Sequence, residues 1–175
     1  MEKIVYVIDE FMDYCTVLNL SVKTIASYEQ TLRLLAHYLI EFHNVKSAEN
    51  TKELHIMSYI KYLKDRGKYT VVSNQNTKNI NFPENREDFG KKIETTTINN
   101  YIRNIKVFYN YLYNNRYITN NPVTRIKEIR CTRKAVGFID DENFNRLLKV
   151  FDLSKFHEYR DYIITQLMFD TGMRL

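Results

Sequence analysis

The side chains of this chain best suited to grip a phosphate form four sets. One is Arg174, in Asp170-Thr171-Gly172-Met173-Arg174-Leu175. It follows a mostly apolar run, Tyr162 to Phe169, and Gly172 fits the position just past a helix end, where only glycine takes the left-handed conformation cheaply. A guanidinium fixed beyond that stop suits a phosphate by its fork geometry. The same residues also read as a helix cap followed by an ordinary surface arginine.

The second set is Thr96, Asn99, Arg103, Lys106 and Asn110, which a helical wheel places together, opposite Ile98, Ile102, Ile105, Phe108 and Leu112. Asn pairs well with adenine, Arg with guanine, and Lys and Thr with phosphate. From Thr95 the first carboxylate is Glu128, whereas an ordinary solvated face mixes both signs. Lys23, Ser27 and Gln30 form a third set, on the outward side of a helix N-terminus, where the positive dipole end favours anions. The fourth is Arg125, Lys127, Arg130, Arg133 and Lys134, set in a stretch with little apolar period. Such a tether tracks a nucleic-acid backbone or serves as a soluble hinge.

The positions of these sets follow from apolar spacing. Ile4, Ile8, Phe11, Cys15 and Leu18 step by three and four and predict a first helix. Asn19-Leu20-Ser21 breaks it, with Ser21 as N-cap of a second helix over about 22–42, marked by Ile25, Tyr28, Leu32, Leu35, Leu39 and Phe42. A third runs over about 51–66, with Ile56, Ile60 and Leu63 inward and Gly67 as its stop. Residues 68–94 are rich in Asn and Lys and show no period. They read as a mobile insertion or as a DNA-touching arm, with room for a short hairpin near 69–72. Thr95-Thr96-Thr97 offers N-caps for a fourth helix over about 97–115, and Asn121-Pro122 closes that region. Asp140-Asp141-Glu142 starts a fifth helix with Phe144, Leu147, Leu148 and Phe151 inward, and a sixth covers about 158–170.

The formal charge of +5 is modest, but residues 95–138 hold eight Lys and Arg against a single acid. That concentration favours a local polyanion contact. Cys15 falls in an apolar stripe and Cys131 in the tether, so neither a disulfide framework nor a metal site is expected, and a reducing compartment is the default. With no signal-peptide pattern and no run of about 18 apolar residues, the expectation is a soluble, cytoplasmic protein without membrane partner or cofactor.

Several segments together resemble the tyrosine recombinases, the phage-integrase family. Thr171-Gly172-Met173-Arg174 resembles that family's Thr-Gly-Leu-Arg segment, with Met173 in the Leu place. Ser21-Val22-Lys23-Thr24 through Tyr28, followed by Leu32 and Leu35, is similar to the opening of its core-binding domain. Thr95 to Tyr113 resembles the last long helix of that domain, Asn121-Pro122 the Asn-Pro after it, and Phe138 to Glu142 the start of its catalytic domain. Arg160-Asp161 and the apolar helix follow in family order, with the 68–94 insertion as the main departure.

The resemblance implies an all-α chain. A four-helix, SAM-like core-binding domain would occupy 1–120, with an insertion at 68–94. A basic linker at 121–138 and the first two helices of a truncated catalytic domain at 139–175 would follow. It implies double-stranded DNA as partner, further recombinase protomers on that DNA, and a role in the integration and recombination of mobile elements. The family's reaction needs neither metal nor nucleotide: a tyrosine attacks a phosphodiester and arginines stabilise the charge. Arg174 would be the first of those arginines. The family's lysine, second arginine, histidines and nucleophilic tyrosine have no counterparts here, so the expectation is a fragment that binds DNA and does not cut it. The alternatives are a non-catalytic DNA-binding protein occupying recombination sites and a helical protein-interaction module. Residues 139–175, too few for an independent core, are expected to be less stable than 1–120 or to borrow contacts from another chain.

Overall fold

A computed structural model describes residues 3–72, 82–132, 137 and 139–173. The described residues form six α-helices and no strand: α1 Lys3–Val17, α2 Val22–His43, α3 Glu53–Asp65, α4 Thr95–Asn114, α5 Asp141–Leu148 and α6 Phe156–Thr171. Two short 3-10 turns, Ala48–Asn50 and Pro83–Asn85, complete the regular structure. The chain divides into two compact units, residues 1–131 and 132–175.

In the first unit, α2 packs against α1, α3 and α4, and α3 packs against α4. The spacing that marks each helix also selects its core residues. Ile4, Ile8, Phe11 and Cys15 of α1, Leu32, Leu35 and Leu39 of α2, Ile56, Tyr59 and Leu63 of α3 and Ile98 to Leu112 of α4 meet in one cluster. Burial of each such side chain contributes about 1.5–3 kcal/mol. Phe11 joins α1 to α4 through rings, 5.4 Å from Phe108 and 5.0 Å from Tyr111. Leu18 and Phe42, expected inward, are exposed: Leu18 lies past the end of α1, and Phe42 sits in the last turn of α2.

Helix ends follow local chemistry. Ser21 caps α2, its hydroxyl accepting the Thr24 N–H at 3.2 Å. Asn44 ends the same helix in the left-handed conformation, its N–H donating to the Ile40 carbonyl at 3.0 Å. One expectation is corrected. The N-cap of α4 is Glu94, and the three threonines lie inside the helix. Gly67 follows the C-cap Arg66 of α3 directly, where a stop was expected. It also meets the returning chain so closely that an added Cβ would stand 2.6 Å from the Gly90 carbonyl oxygen.

That contact pins the two ends of the 68–94 segment together. Lys68 N–H donates to the Lys91 carbonyl at 2.7 Å, and Gly90 N–H donates to the Lys68 carbonyl at 3.0 Å. Lys68 Nζ reaches Asp88 at 3.7 Å and Glu94 at 3.4 Å, and the Arg86 guanidinium stacks over Tyr69 at 4.5 Å. The flanks are thus an ordered neck rather than structureless chain, because backbone pairing and ion pairs satisfy them locally. Residues 73–81, the centre of the segment, lie outside the described residues.

The first unit also reaches further than the expected boundary at 120. Val123 and Ile126 are buried and Ile129 packs against the same core, so the first half of the expected linker is part of the helical unit.

In the second unit, Asp140 caps α5 by accepting the Asn143 N–H at 2.8 Å. Phe144 is buried and stacks on Phe169 of α6 with ring centroids 3.6 Å apart. No described residue of α6 is buried. Gly172 ends α6 with φ 66°, its N–H donating to the Met168 carbonyl at 2.9 Å, as expected of that position.

Candidate nucleic-acid interface

Helices α2 and α4 meet through a polar knot as well as through the core. Asn104 of α4 donates from Nδ2 to Ser27 Oγ at 3.0 Å and to Thr31 Oγ1 at 2.9 Å. Thr31 is fully buried, and its hydroxyl donates to the Ser27 carbonyl at 2.8 Å. Ser27 therefore stays at the surface with its hydroxyl engaged by α4. Lys23 and Gln30, on the same side of α2, are exposed.

On α4 the exposed row runs Thr96, Asn100, Arg103, Val107 and Asn110. It is rotated from the row expected at 96, 99, 103, 106 and 110. Asn99 is 6 % exposed and faces the chain that returns after α4. Its amide is used at both ends: Nδ2 donates to the Ile129 carbonyl at 2.9 Å, and Oδ1 accepts the Ile129 N–H at 2.8 Å. An asparagine bonded in this way has no amide edge left for an adenine, so its placement on a base-reading face is corrected. Lys106 is half-buried on the same flank. Both residues stand nearest the apolar edge of the wheel, and the return of residues 123–129 moves that edge outward.

Arg103 is exposed, and its guanidinium is held by three bonds. Nε donates to Glu128 Oε1 at 3.0 Å and Nη2 to Glu128 Oε2 at 2.7 Å. Nη1 donates to Asn100 Oδ1 at 3.3 Å. The hydrogen bonds from Arg103, the larger influence, hold the Glu128 carboxyl below the usual carboxylate range, with Lys106 adding to the attraction. The lone acid of the basic segment is thus paired with the exposed Arg103.

Arg125, Lys127 and Arg130 are exposed along the returning chain, while its apolar members Val123 and Ile126 point into the unit. This alternation makes residues 123–130 a strap with an inward apolar side and an outward cationic side. Arg125 also lines an open groove of about 1000 Å³ between Lys52-Glu53-His55 and Thr119-Asn120-Asn121. Arg133, Lys134 and Arg174 lie outside the described residues. The structure therefore gathers Lys23, Ser27, Gln30, Thr96, Arg103, Arg125, Lys127 and Arg130 on the first unit and removes Asn99 from the surface set.

Sequence reading missed Asn100, Asn104 and the role of Glu128. Asn104 carries no sequence signal, since its partners lie on α2 at separations of 73 and 77 residues. Glu128 did carry one: a single acid among eight cations points to a specific partner. Among the described residues no group of His, Cys, Asp and Glu is placed to hold a metal ion. Cys15 is buried and Cys131 exposed, and neither is in a disulfide. No described helix is long and apolar enough to cross a membrane.

Comparison with known proteins gives a consistent answer. The chain is 22% identical over 171 residues to tyrosine recombinase XerD of Oceanobacillus iheyensis, covering 97% of this chain and 49% of that protein. It is 26% identical over 157 residues to a tyrosine recombinase of Thermosipho africanus, covering 84% of this chain and 51% of the relative. With tyrosine recombinase XerD of Staphylococcus haemolyticus it shares 28% identity over 122 residues, 65% of this chain and 41% of the relative. No family model matches the chain, and no solved structure matches it significantly. The chain spans about half the length of these curated relatives. The ordered segments and the matches over most of the chain thus agree: this protein is a relative of the tyrosine recombinases.

Proposed function

We propose that this chain acts in DNA recombination as the DNA-binding part of a tyrosine recombinase, with α1–α4 in the SAM-like core-binding arrangement. In this reading the exposed row of α4, with Arg103, Asn100 and Asn110, faces base edges. Lys23, Gln30, Thr96, Arg125, Lys127 and Arg130 contact phosphates, as do Arg133 and Lys134. The observation that carries the reading is the charge of this surface: in residues 95–138 a single acid stands among eight cations, and it is paired with Arg103. A surface in which cations outnumber acids along α4 and the strap suits a polyanion.

The test is a titration of the 175-residue chain with duplex DNA at several salt concentrations. If about five phosphates are neutralised, log K falls with log salt at a slope of about −4 to −5. Absence of binding even at low salt removes this reading and favours a helical module that binds proteins. Arg130→Ala should weaken all sequences alike, because a phosphate contact carries no sequence information.

Arg174 would hold the scissile phosphate in the full recombination reaction. No tyrosine of this chain takes the nucleophile's role in this reading, so the chain incubated with nicked DNA should form no covalent adduct. An adduct on a denaturing gel would show that a tyrosine within these residues is the nucleophile.

A further inference from the structure

Three successive anchors hold the strap against α4, and they differ in strength. Ile126 is buried in the core. Ile129 is fixed through both backbone groups by the buried Asn99 amide. Between them Glu128 is exposed, and it holds Arg103 only through its side chain, with 58% of the Arg103 and 41% of the Glu128 side chain open to solvent. The backbone on either side is therefore fixed, while the carboxylate is free to turn on its own rotamers. An exposed ion pair contributes little to stability, so displacing it does not require the strap to peel away.

The pair has consequences for any anion that approaches. A bidentate contact to guanine or phosphate needs two parallel N–H groups of the guanidinium. The Nε–Nη2 edge already points at Glu128, and on the other edge Nη1 is held by Asn100 at 3.3 Å, so both edges of the fork have a protein partner. The carboxylate also cancels one positive charge on the surface proposed to face DNA.

We propose that Glu128 is a side-chain gate on Arg103: it masks the guanidinium in the unbound chain, and DNA must displace the carboxylate before Arg103 can engage. This rests on the DNA-binding reading above. Lys106, on the same helix as Arg103, also attracts the Glu128 carboxyl. The mask raises the threshold for casual phosphate contacts, and a site that offers Arg103 a full bidentate partner overcomes it.

The experiment is a double-mutant cycle read by binding to mixed-sequence duplex DNA. The full chain is compared with Glu128→Gln, Arg103→Ala and the double variant. In Glu128→Gln, Arg103 should engage readily. Kd should fall on the order of tenfold at 0.1 M salt, the salt slope should steepen by about 0.9, and the gap should close towards 1 M salt. In the Arg103→Ala background the same change should have much less effect. Glu128→Ala should behave like Glu128→Gln, which separates loss of the mask from any residual hydrogen bond by the amide.

Two results would overturn the gate while leaving DNA binding intact. One is an equal gain with and without Arg103, which would make Glu128 a general repulsive charge. The other is weaker binding in Glu128→Gln, which would make Glu128 a residue that positions Arg103. If neither the parent chain nor Glu128→Gln binds DNA at low salt, the DNA-binding reading itself falls, and the gate with it.

Discussion

The two units of this chain are both built from helices that carry large apolar side chains but hide them very differently. In residues 1–131 the helices bury a continuous cluster from Ile4 to Ile126. In residues 132–175 the single buried hydrophobic residue among those described is Phe144. Helix α6 leaves Phe156, Ile163 and Leu167 exposed at 81%, 44% and 49%. The difference lies in how the apolar residues are arranged. Those of α1 and α4 form one stripe, which one layer of neighbours can cover. Those of α6 spread around the helix, and a helix that is apolar on several sides belongs in an interior. The earlier expectation that 139–175 is the less stable part therefore has a structural counterpart in burial.

The strongest test of this contrast is a pair of truncations. Phe108 is fully buried, and Phe108→Ala should destabilise the first unit by about 3–5 kcal/mol. Leu167→Ala should change stability by less than about 0.5 kcal/mol. Urea unfolding followed by circular dichroism measures both, and comparable losses would mean that α6 is covered as well as α4.

The next test concerns where the first unit ends. Asn99→Ala should cost about 1–3 kcal/mol, because it strands the Ile129 N–H and carbonyl. Hydrogen exchange at the Ile129 amide should accelerate in the variant. Unchanged exchange and stability would return residues 121–131 to the status of a linker, and Asn99 to the surface set.

A smaller effect is the pH response around His55 in the first unit. His55 Nδ1 accepts the Lys52 N–H at 3.2 Å, so protonation there breaks a bond at the start of α3. Burial, then His43 and Lys52, push its pKa below the ordinary value. The unfolded chain, with a histidine pKa of about 6.5, then binds more protons than the folded chain just below that pH. This contribution is complete above about pH 6.5 and declines as pH falls through the window beneath it. In the second unit the shifted acids are Asp152, held down first by the Ser154 side chain, and Glu158, held down first by the Asp152 N–H. Their contribution is present above the ordinary carboxylate range of about 4 and is lost as pH falls through their depressed values. Thermal melts from pH 7.5 to 5 should show a decline that His55→Gln flattens. A decline that persists in that variant would assign it elsewhere.

The smallest expected effect is inside the core. The Tyr59 hydroxyl is buried with no hydrogen-bond partner, and burial pushes its pKa far up. Tyr59→Phe should be neutral or stabilising, within about 1 kcal/mol. A clear loss would reveal a partner for that hydroxyl and would mark the α3 side of the core as polar.

Much of this molecule was legible from residue order alone, and the legible part is local. Six helices, the Ser21 cap, the acidic start at 140–142 and the Gly172 stop depend on residues within a turn or two of one another. The apolar stripes of α1, α2 and α4 depend only on spacing, and the ordered family segments on chain order. The outward row of α4 was only half legible. Thr96, Arg103 and Asn110 face solvent as the wheel requires, but Asn99 lies under a strap whose path no periodicity records. The pairing of Lys68 with Gly90 and Lys91 was not legible within the 68–94 segment, because it joins residues more than twenty positions apart. The same holds for Asn104 with Ser27 and for Arg103 with Glu128. Sequence by itself determined which residues prefer a helix, which side of it is apolar, and where positive charge collects. Tertiary structure alone decided which polar side chains are used up inside the protein. A helical wheel describes one helix against an unspecified core, and the neighbour that buries an amide or masks a guanidinium arrives from elsewhere in the chain.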